Sequence, residues 1–340
     1  MIERKHDKTH DDRKVYEMKH KVLCCCLALA VLCLLATGCG ESDPATDSSS
    51  EGGSLAGSAD EAVSEGTVSY VYDGEESFSN LTFSNGEGRM GDQDGPAYCV
   101  YSTKGVQAAS MEVELSQLDL QIYREDGAHV NAYIFLGADV YDAESGYWKN
   151  CADAGLVYSG ADGWHVFYNL YSSSDPEAST WYESDRRLRA DHDYRLVLDS
   201  SQRDGKAVLS VYDITANVRV DRVIFELQYA KADGSNTAYL TDFALDYPED
   251  TMQGVNGQPG EDWIDITLGN TDRGIRMRDL RVKNCRVTRD GTEYDWTNEQ
   301  TANRGIWPDA SMSGIDYACT KIRNAKENIA YIVDLDMNRG

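Results

Sequence analysis

From Thr67 onward the chain is written in short runs where apolar and polar residues take turns. Gln117 to Arg124 sets Leu118, Leu120 and Ile122 against Asp119, Gln121 and Tyr123. Val130 to Leu136 sets Val130, Ala132, Ile134 and Leu136 against Asn131, Tyr133 and Phe135. Trp164 to Tyr171 places His165, Phe167, Asn169 and Tyr171 on one face, with Trp164, Val166 and Leu170 on the other. Tyr194–Asp199, Ala207–Ile214 and Arg222–Tyr229 repeat the rhythm. A period of two predicts strands with two unlike faces. Glu-Asp-Gly at 125–127, Ala-Asp-Gly at 161–163 and Arg-Asp-Gly at 203–205 separate the runs. Asp and Gly suit such turns because they tolerate positive φ. Only Ser184 to Ala190 suggests a turn of helix. The expectation is an all-β fold, an antiparallel two-sheet sandwich. About 270 residues beyond Thr67 suit a large jelly roll.

The order of these segments carries a resemblance. Ala132-Tyr-Ile-Phe-Leu-Gly-Ala-Asp, Gly155-Leu-Val-Tyr and Asp162-Gly-Trp-His-Val-Phe-Tyr-Asn come first. Tyr194-Arg-Leu-Val-Leu-Asp, the Asp204-Gly-Lys turn and Ala207-Val-Leu-Ser-Val-Tyr-Asp follow. Together they resemble the concanavalin A-like lectin/glucanase superfamily over residues 67 to 247. The resemblance implies a jelly-roll sandwich and one of two activities, carbohydrate binding or glycoside hydrolysis. The chain divides into 1–38, 39–66, a sandwich over 67–250, and 251–340. The last part either completes the sandwich or adds a small β subdomain, with strand-like runs at Trp263–Leu268 and Ile329–Asp334.

The first 66 residues have another character. Val22 to Leu35 is uncharged and apolar, and Lys19, His20 and Lys21 precede it. At 14 residues it has the length of a signal-peptide core, short of the roughly 20 apolar residues of a membrane span. Ala36-Thr37-Gly38-Cys39 resembles the bacterial lipobox, which implies cleavage after Gly38 and lipidation (diacylglycerol, palmitate) of Cys39. Translation from Met18 would give the more compact signal; Met1 remains the alternative start. Gly40 to Gly66 is rich in Ser, Gly, Ala, Glu and Asp and has no aromatic residue. Such a segment buries too little to offset its ordering entropy and reads as a disordered tether. The expected location is the extracytoplasmic face of a cell membrane, held by lipid alone.

The formal net charge is −26, and residues 1–38 carry seven Lys/Arg against five Asp/Glu. Removing them makes the rest more negative still. That balance argues against nucleic acid, whose binding needs clustered cations on phosphates. Four of the nine cysteines lie in the apolar run, and Cys39 ends it. Cys99, Cys151, Cys285 and Cys319 remain. In an exported chain they suit two disulfides of undetermined pairing, or buried thiols; their spacing fits no zinc motif.

Candidate chemistry is sparse. One glucanase family of the resembled fold sets three carboxylates at alternate positions of one strand. Glu112 and Glu114 supply two, but Ser116 and Gln117 stand where the acid/base should follow. Hydrolysis needs a carboxyl pair across the sugar bond, so Glu112 and Glu114 are weak catalytic candidates. Calcium as a structural cofactor has two sources, the Asp139, Asp142, Glu144 and Asp153 group and the run Asp334, Asp336, Asn338. The second lacks a closing glutamate. Sugar binding needs rings that stack on C–H faces and planar polar groups that bond hydroxyls. Gln121, Tyr123, Asn131, Tyr133, His165, Asn169, Tyr171, Glu226 and Gln228 supply them if their strands share one sheet. Trp148, Trp181 and Tyr182 are expected in loops beside it, and Trp164 in the core. The sequence therefore points to a lectin-like, non-catalytic glycan-binding module. A hydrolase or lyase of that fold and an adhesive module for a protein partner are the alternatives.

Overall fold

The computed structural model describes residues 96–123, 129–159, 163–172, 174–246, 274–307, 320–323 and 327–336. They form two antiparallel sheets packed face to face. Sheet A contains β1 (Ala97–Ser102), β4 (Asn131–Tyr141), β5 (Trp148–Ser159), β6 (Gly163–Ser172), β7 (Asp175–Glu183), β11 (Thr237–Asp246) and β14 (Thr301–Trp307), in the order β14-β1-β11-β4-β5-β6-β7. Sheet B contains β2 (Ala108–Glu114), β8 (Asp193–Asp199), β9 (Lys206–Asp213), β10 (Val218–Glu226), β12 (Arg276–Arg289), β15 (Thr320–Arg323) and β16 (Tyr331–Asp336). Their order is β10-β9-β8-β2-β12-β16-β15, with β3 (Asp119–Gln121) and β13 (Thr292–Asp295) also pairing to β12. The chain passes repeatedly from one sheet to the other, between β1 and β2, β3 and β4, β7 and β8, and β10 and β11. That is the winding of a jelly roll.

The alternation read in the sequence builds the space between the sheets. Ile134, Leu136, Leu156, Trp164 and Val166 from sheet A meet Met111, Val113, Leu196, Leu209, Val282 and Val333 from sheet B in one buried cluster. Thr241 and Tyr331 join the layers through a hydroxyl pair at 3.2 Å. The strand β12 lies inside sheet B, between β2 and β16, while β14 joins sheet A, so the described strands beyond Arg276 belong to both layers. Turns obey their chemistry. Asp290 and Gly291 have φ of 48° and 71°, the paired positive angles that a tight hairpin needs between β12 and β13. Ser184 to Ala190 is not helical; among the described residues the only helical turns are Leu115–Gln117 and Asn298–Gln300.

Two features depart from the expectation. The central strands of sheet A are buried on both faces. In β11 nine of ten positions are buried, so a second small apolar cluster (Phe135, Val157, Phe167, Leu240) lies on the face turned away from sheet B. Glycine permits that layer. A Cβ on Gly155 would come within 2.7 Å of Phe135 Cβ, and one on Gly137 within 2.7 Å of Leu240 Cγ. The other departure concerns cysteine. Cys99, Cys151 and Cys285 are buried thiols, not disulfides. β11 and β4 separate Cys99 on β1 from Cys151 on β5. Three strand spacings make roughly 14 Å, beyond the ~7 Å limit of a disulfide, and Cys285 lies in the core between the sheets. Cys319, Cys39, the signal peptide, the tether and Trp263–Leu268 lie outside the described residues.

Candidate functional site

The outer face of sheet A collects the chemistry. Its register sets Cys99 beside Asp242, Asp242 beside Phe135, Phe135 beside Gly155, and Gly155 beside Phe167. One row along, Leu240, Gly137, Asp153, Asn169 and Trp181 stand in line across β11, β4, β5, β6 and β7. The next row in the other direction brings Ala244, Tyr133, Val157 and His165 together.

The aromatic residues form a continuous platform. Phe167 stacks on Trp181 with centroids 5.1 Å apart and 25° between planes. Tyr133 meets Phe167 edge-on at 5.5 Å and Trp181 at 6.4 Å. Phe135 closes on Phe167 at 5.8 Å. Phe167 is buried beneath the others, whereas Trp181 is 44 % exposed, so the platform offers its indole to solvent.

Polar groups around it are tied on one side and open on the other. Asn131 Nδ2 donates to the Tyr133 hydroxyl at 3.1 Å, and Asn169 Nδ2 to the Tyr171 hydroxyl at 2.6 Å. His165 Nδ1 lies 2.8 Å from the Ser184 carbonyl. A carbonyl only accepts, so Nδ1 carries the proton and Nε2 is left as an acceptor. The Oδ1 atoms of Asn131, Asn169 and Asp153 and the Nε2 of His165 are buried with no hydrogen-bond partner. All four belong to side chains on this one face, and all four are acceptor atoms.

The aspartates complete it. Asp139 accepts from Trp148 Nε1 at 3.2 Å and from the Tyr141 hydroxyl at 3.5 Å. Asp153 is 5 % exposed. Burial, and then the neighbouring Asp242 and Asp139, push its carboxyl well above the usual carboxylate range. The Cys99 thiol is also pushed up, by burial and then by Asp242, which makes it inert as a nucleophile.

The sequence-selected residues divide between the sheets. Asn131, Tyr133, His165, Asn169 and Tyr171 share this face. Gln121 and Tyr123 do not join them: β3 pairs with β12 in sheet B, and Gln121 Nε2 donates to the Tyr123 carbonyl at 3.3 Å. Glu226 ends β10 at the far edge of sheet B, ion-paired to Lys206, and the exposed Gln228 follows it. Alternation locates a face but not the sheet that owns it. Trp148, Trp181 and Tyr182, expected in loops, are strand residues of β5 and β7, and Trp164 is core as expected.

Glu112 and Glu114 lie in sheet B, fully engaged. Glu112 Oε1 accepts from Arg195 Nε at 2.9 Å and Glu112 Oε2 from Asn284 Nδ2 at 2.8 Å. Glu114 pairs with Lys283 at 2.6 Å and Arg281 at 3.7 Å. They hold strands together and face no cleft acid. The calcium candidates fare similarly. Asp142 closes the β4–β5 turn by accepting from the Ser145 amide and hydroxyl at 2.8 and 2.7 Å, and Glu144 is exposed. Asp334 is taken by Arg323, Asp336 by Arg278, and Asn338 lies outside the described residues. Among the described residues no three acidic, histidine or cysteine groups are arranged to hold a metal.

Fold and face together define an all-β, two-sheet sandwich whose outer sheet face is aromatic and lined with acceptors. No protein-family model and no curated protein matches the chain. Among solved structures it is similar to scytalido-glutamic peptidase with a peptide-based transition-state analogue, at 10% identity and TM-score 0.38, over 71% of this chain and 98% of that one. It is also similar to SCP-B, an eqolisin peptidase in complex with Ala-Ile-His, at 11% identity and TM-score 0.37, over 71% and 96%. A glycoside hydrolase family 16 endo-glucanase from Bacteroides ovatus follows, at 10% identity and TM-score 0.28, over 49% and 74%. At these scores the likeness decides nothing, and the fold stands on its own sheets.

Proposed function

We propose that the outer face of sheet A binds carbohydrate, and that the chain is a lipoprotein displaying this sandwich outside the cell on a tether from Cys39. The supporting observation is the coincidence, on one sheet face, of an exposed indole platform and four buried acceptor atoms without partners. A sugar ring presents C–H bonds to an aromatic face and hydroxyl donors around its rim. It suits both features at once. A buried acceptor left unanswered costs about 1–3 kcal/mol, so a ligand whose binding opens these atoms to its hydroxyls recovers that cost.

The test is a glycan array with the wild type and with Trp181→Ala and Asn169→Ala. Binding to a neutral glycan that both substitutions weaken is expected; no binding to any neutral glycan overturns the reading. For the anchor, mass spectrometry of the mature protein should find lipid on Cys39, and an unlipidated N-terminus elsewhere overturns it.

A second reading, glycoside hydrolysis on the same face, is favoured by Asp153. A carboxyl whose proton is held more tightly by burial, beside a carboxyl held as an acceptor, is the pairing such cleavage uses. In register Asp139 faces Cys151, two residues from Asp153 on the neighbouring strand. Such diagonal neighbours lie roughly 7–8 Å apart, within the range of catalytic pairs. Release of reducing ends from a bound glycan, abolished by Asp153→Asn with binding retained, is the expected result of this reading. A wild type that binds and releases none excludes it.

A further inference from the structure

One carboxyl on the outer face of sheet A is answered by nothing around it. Asp153 makes no hydrogen bond among the described residues. It keeps 5 % exposure, and of its two oxygens only Oδ1 is fully enclosed, so Oδ2 is the atom a ligand reaches. In register Asp153 stands directly opposite Asn169, and Asn169 opposite Trp181. Side chains opposed in this way have Cβ atoms about 4.5–5.5 Å apart. The three therefore form one row, two strand spacings or about 10 Å long, running from carboxyl through amide to indole.

The row has acceptors and wants donors. The Asn169 amide nitrogen is committed to the Tyr171 hydroxyl at 2.6 Å, and its Oδ1 is unmet. Burial, and then the nearby Asp242 and Asp139 carboxyls, oppose the ionisation of Asp153. Across β4, β5, β6, β7 and β11 the only lysine or arginine is Lys149. It stands near the β4–β5 turn, where its ammonium lies 3.8 Å from Asp142. The face gathers carboxyls without a cation of its own beside Asp153. At the end of the row it sets the Phe167–Trp181 stack, and indole is the ring that holds an ammonium best. Among the described residues no three groups are arranged for a metal, which leaves a cation whose charge sits on hydrogen-bond donors.

We infer that the sugar bound on this face carries a free amine, with its ammonium seated on Asp153 and Asn169 and its C–H face on Trp181. The inference rests on the carbohydrate reading and narrows it from glycans at large to amino sugars. A hydroxyl brings one donor and no charge. An ammonium brings three donors and the charge that offsets ionising Asp153. N-acetylation removes the charge and leaves a single N–H, so the acetylated sugar keeps the ring contact and loses the rest.

Calorimetric titration of the full chain with glucosamine and galactosamine oligomers tests this, each beside its N-acetylated counterpart of equal length, at a pH where the amines are charged. The amine form of at least one pair should bind about tenfold or more tighter than its counterpart. Asp153→Asn should abolish that preference while still binding the acetylated oligomer. Acetylated forms bound as tightly as the amines would overturn the inference and leave the sugar reading standing. A preference unchanged in Asp153→Asn would also overturn it, tracing the effect to the net negative charge of the whole chain. Binding to no glycan of either kind would overturn the reading beneath it. The wild-type comparison stands even if the variant fails to fold.

Discussion

The outer faces of the two sheets treat their acids in different ways. On and around sheet B many carboxylates meet a cation, and others, such as Asp193 and Asp199, accept from amides or a hydroxyl. Glu112 is held by Arg195, Glu114 by Lys283, Asp119 by Arg276 at 2.6 Å, Glu293 by Arg286 at 2.6 Å, and Asp334 by Arg323 at 2.9 Å. On sheet A the enclosed Asp153 has its Oδ1 unmet, Asp139 takes an indole N–H, and the surrounding amides and imidazole point acceptors at nothing. The exposed pairs contribute little each, about 0–1 kcal/mol, the buried Glu112 more, and both leave their carboxylates already answered. Acceptors without partners cost stability in the empty protein and are recovered only by a ligand. That difference is the ground for proposing the binding face on sheet A.

The comparison can be broken most forcefully at the aromatic layer. Phe167→Ala removes a ring that is 2 % exposed and supports Trp181, Tyr133 and Phe135. It should cost about 3–5 kcal/mol in denaturant unfolding; a loss under 1 kcal/mol would mean that the platform is not packed. On sheet B, Glu112→Gln loses charge-assisted bonds to Arg195 and should cost about 1.5–3 kcal/mol while leaving glycan binding unchanged. A loss of binding would move the site.

Asp153→Asn sharpens the contrast through pH. A carboxyl whose folded pKa is raised binds its proton more tightly in the native state. The wild type therefore loses stability as pH rises from the unfolded value, about 4, through the folded one. Asp153→Asn lacks that loss and should gain relative to the wild type across this window. The two should converge below about pH 4. Chemical denaturation at several pH values reads this out, and parallel curves would show Asp153 to be ordinary. The smallest effect falls on Trp181→Ala. With its ring half in solvent, it should lose under about 1.5 kcal/mol of ring-pair energy, seen as a shift of a few degrees in the melting temperature.

Much of the face was legible in local sequence. Trp164 to Tyr171 alternates cleanly, so His165, Asn169 and Tyr171 were separated from Trp164 and Val166 by period alone, and Asn131 and Tyr133 likewise. Sheet membership was not legible. The Leu118–Tyr123 and Arg222–Gln228 segments show the same rhythm, yet β3 and β10 belong to sheet B because their partners, β12 and β9, lie far along the chain or beyond a turn. Asp153 and Asp242 were missed as a pair since strand pairing brings them together across 89 positions of sequence. A local signal for Asp153 existed: it alternates with Cys151 and Gly155, an unusual place for an acid. Trp181 and Tyr182 read as loop because Ser-Ser-Ser-Asp-Pro precedes them. Their strand β7 ends the sheet, where proline is tolerated.

The most direct measurement sets the two faces against each other on one glycan array. The wild type, a sheet A variant (Trp181→Ala with Asn169→Ala) and a sheet B variant (Tyr123→Ala with Gln228→Ala) would be compared at equal concentration. Sheet A as the binding face predicts that the first variant loses the wild-type signal by tenfold or more, an order of magnitude set by one stacking contact and one hydrogen bond, while the second keeps it. Retention by the sheet A variant together with loss by the sheet B variant would contradict it.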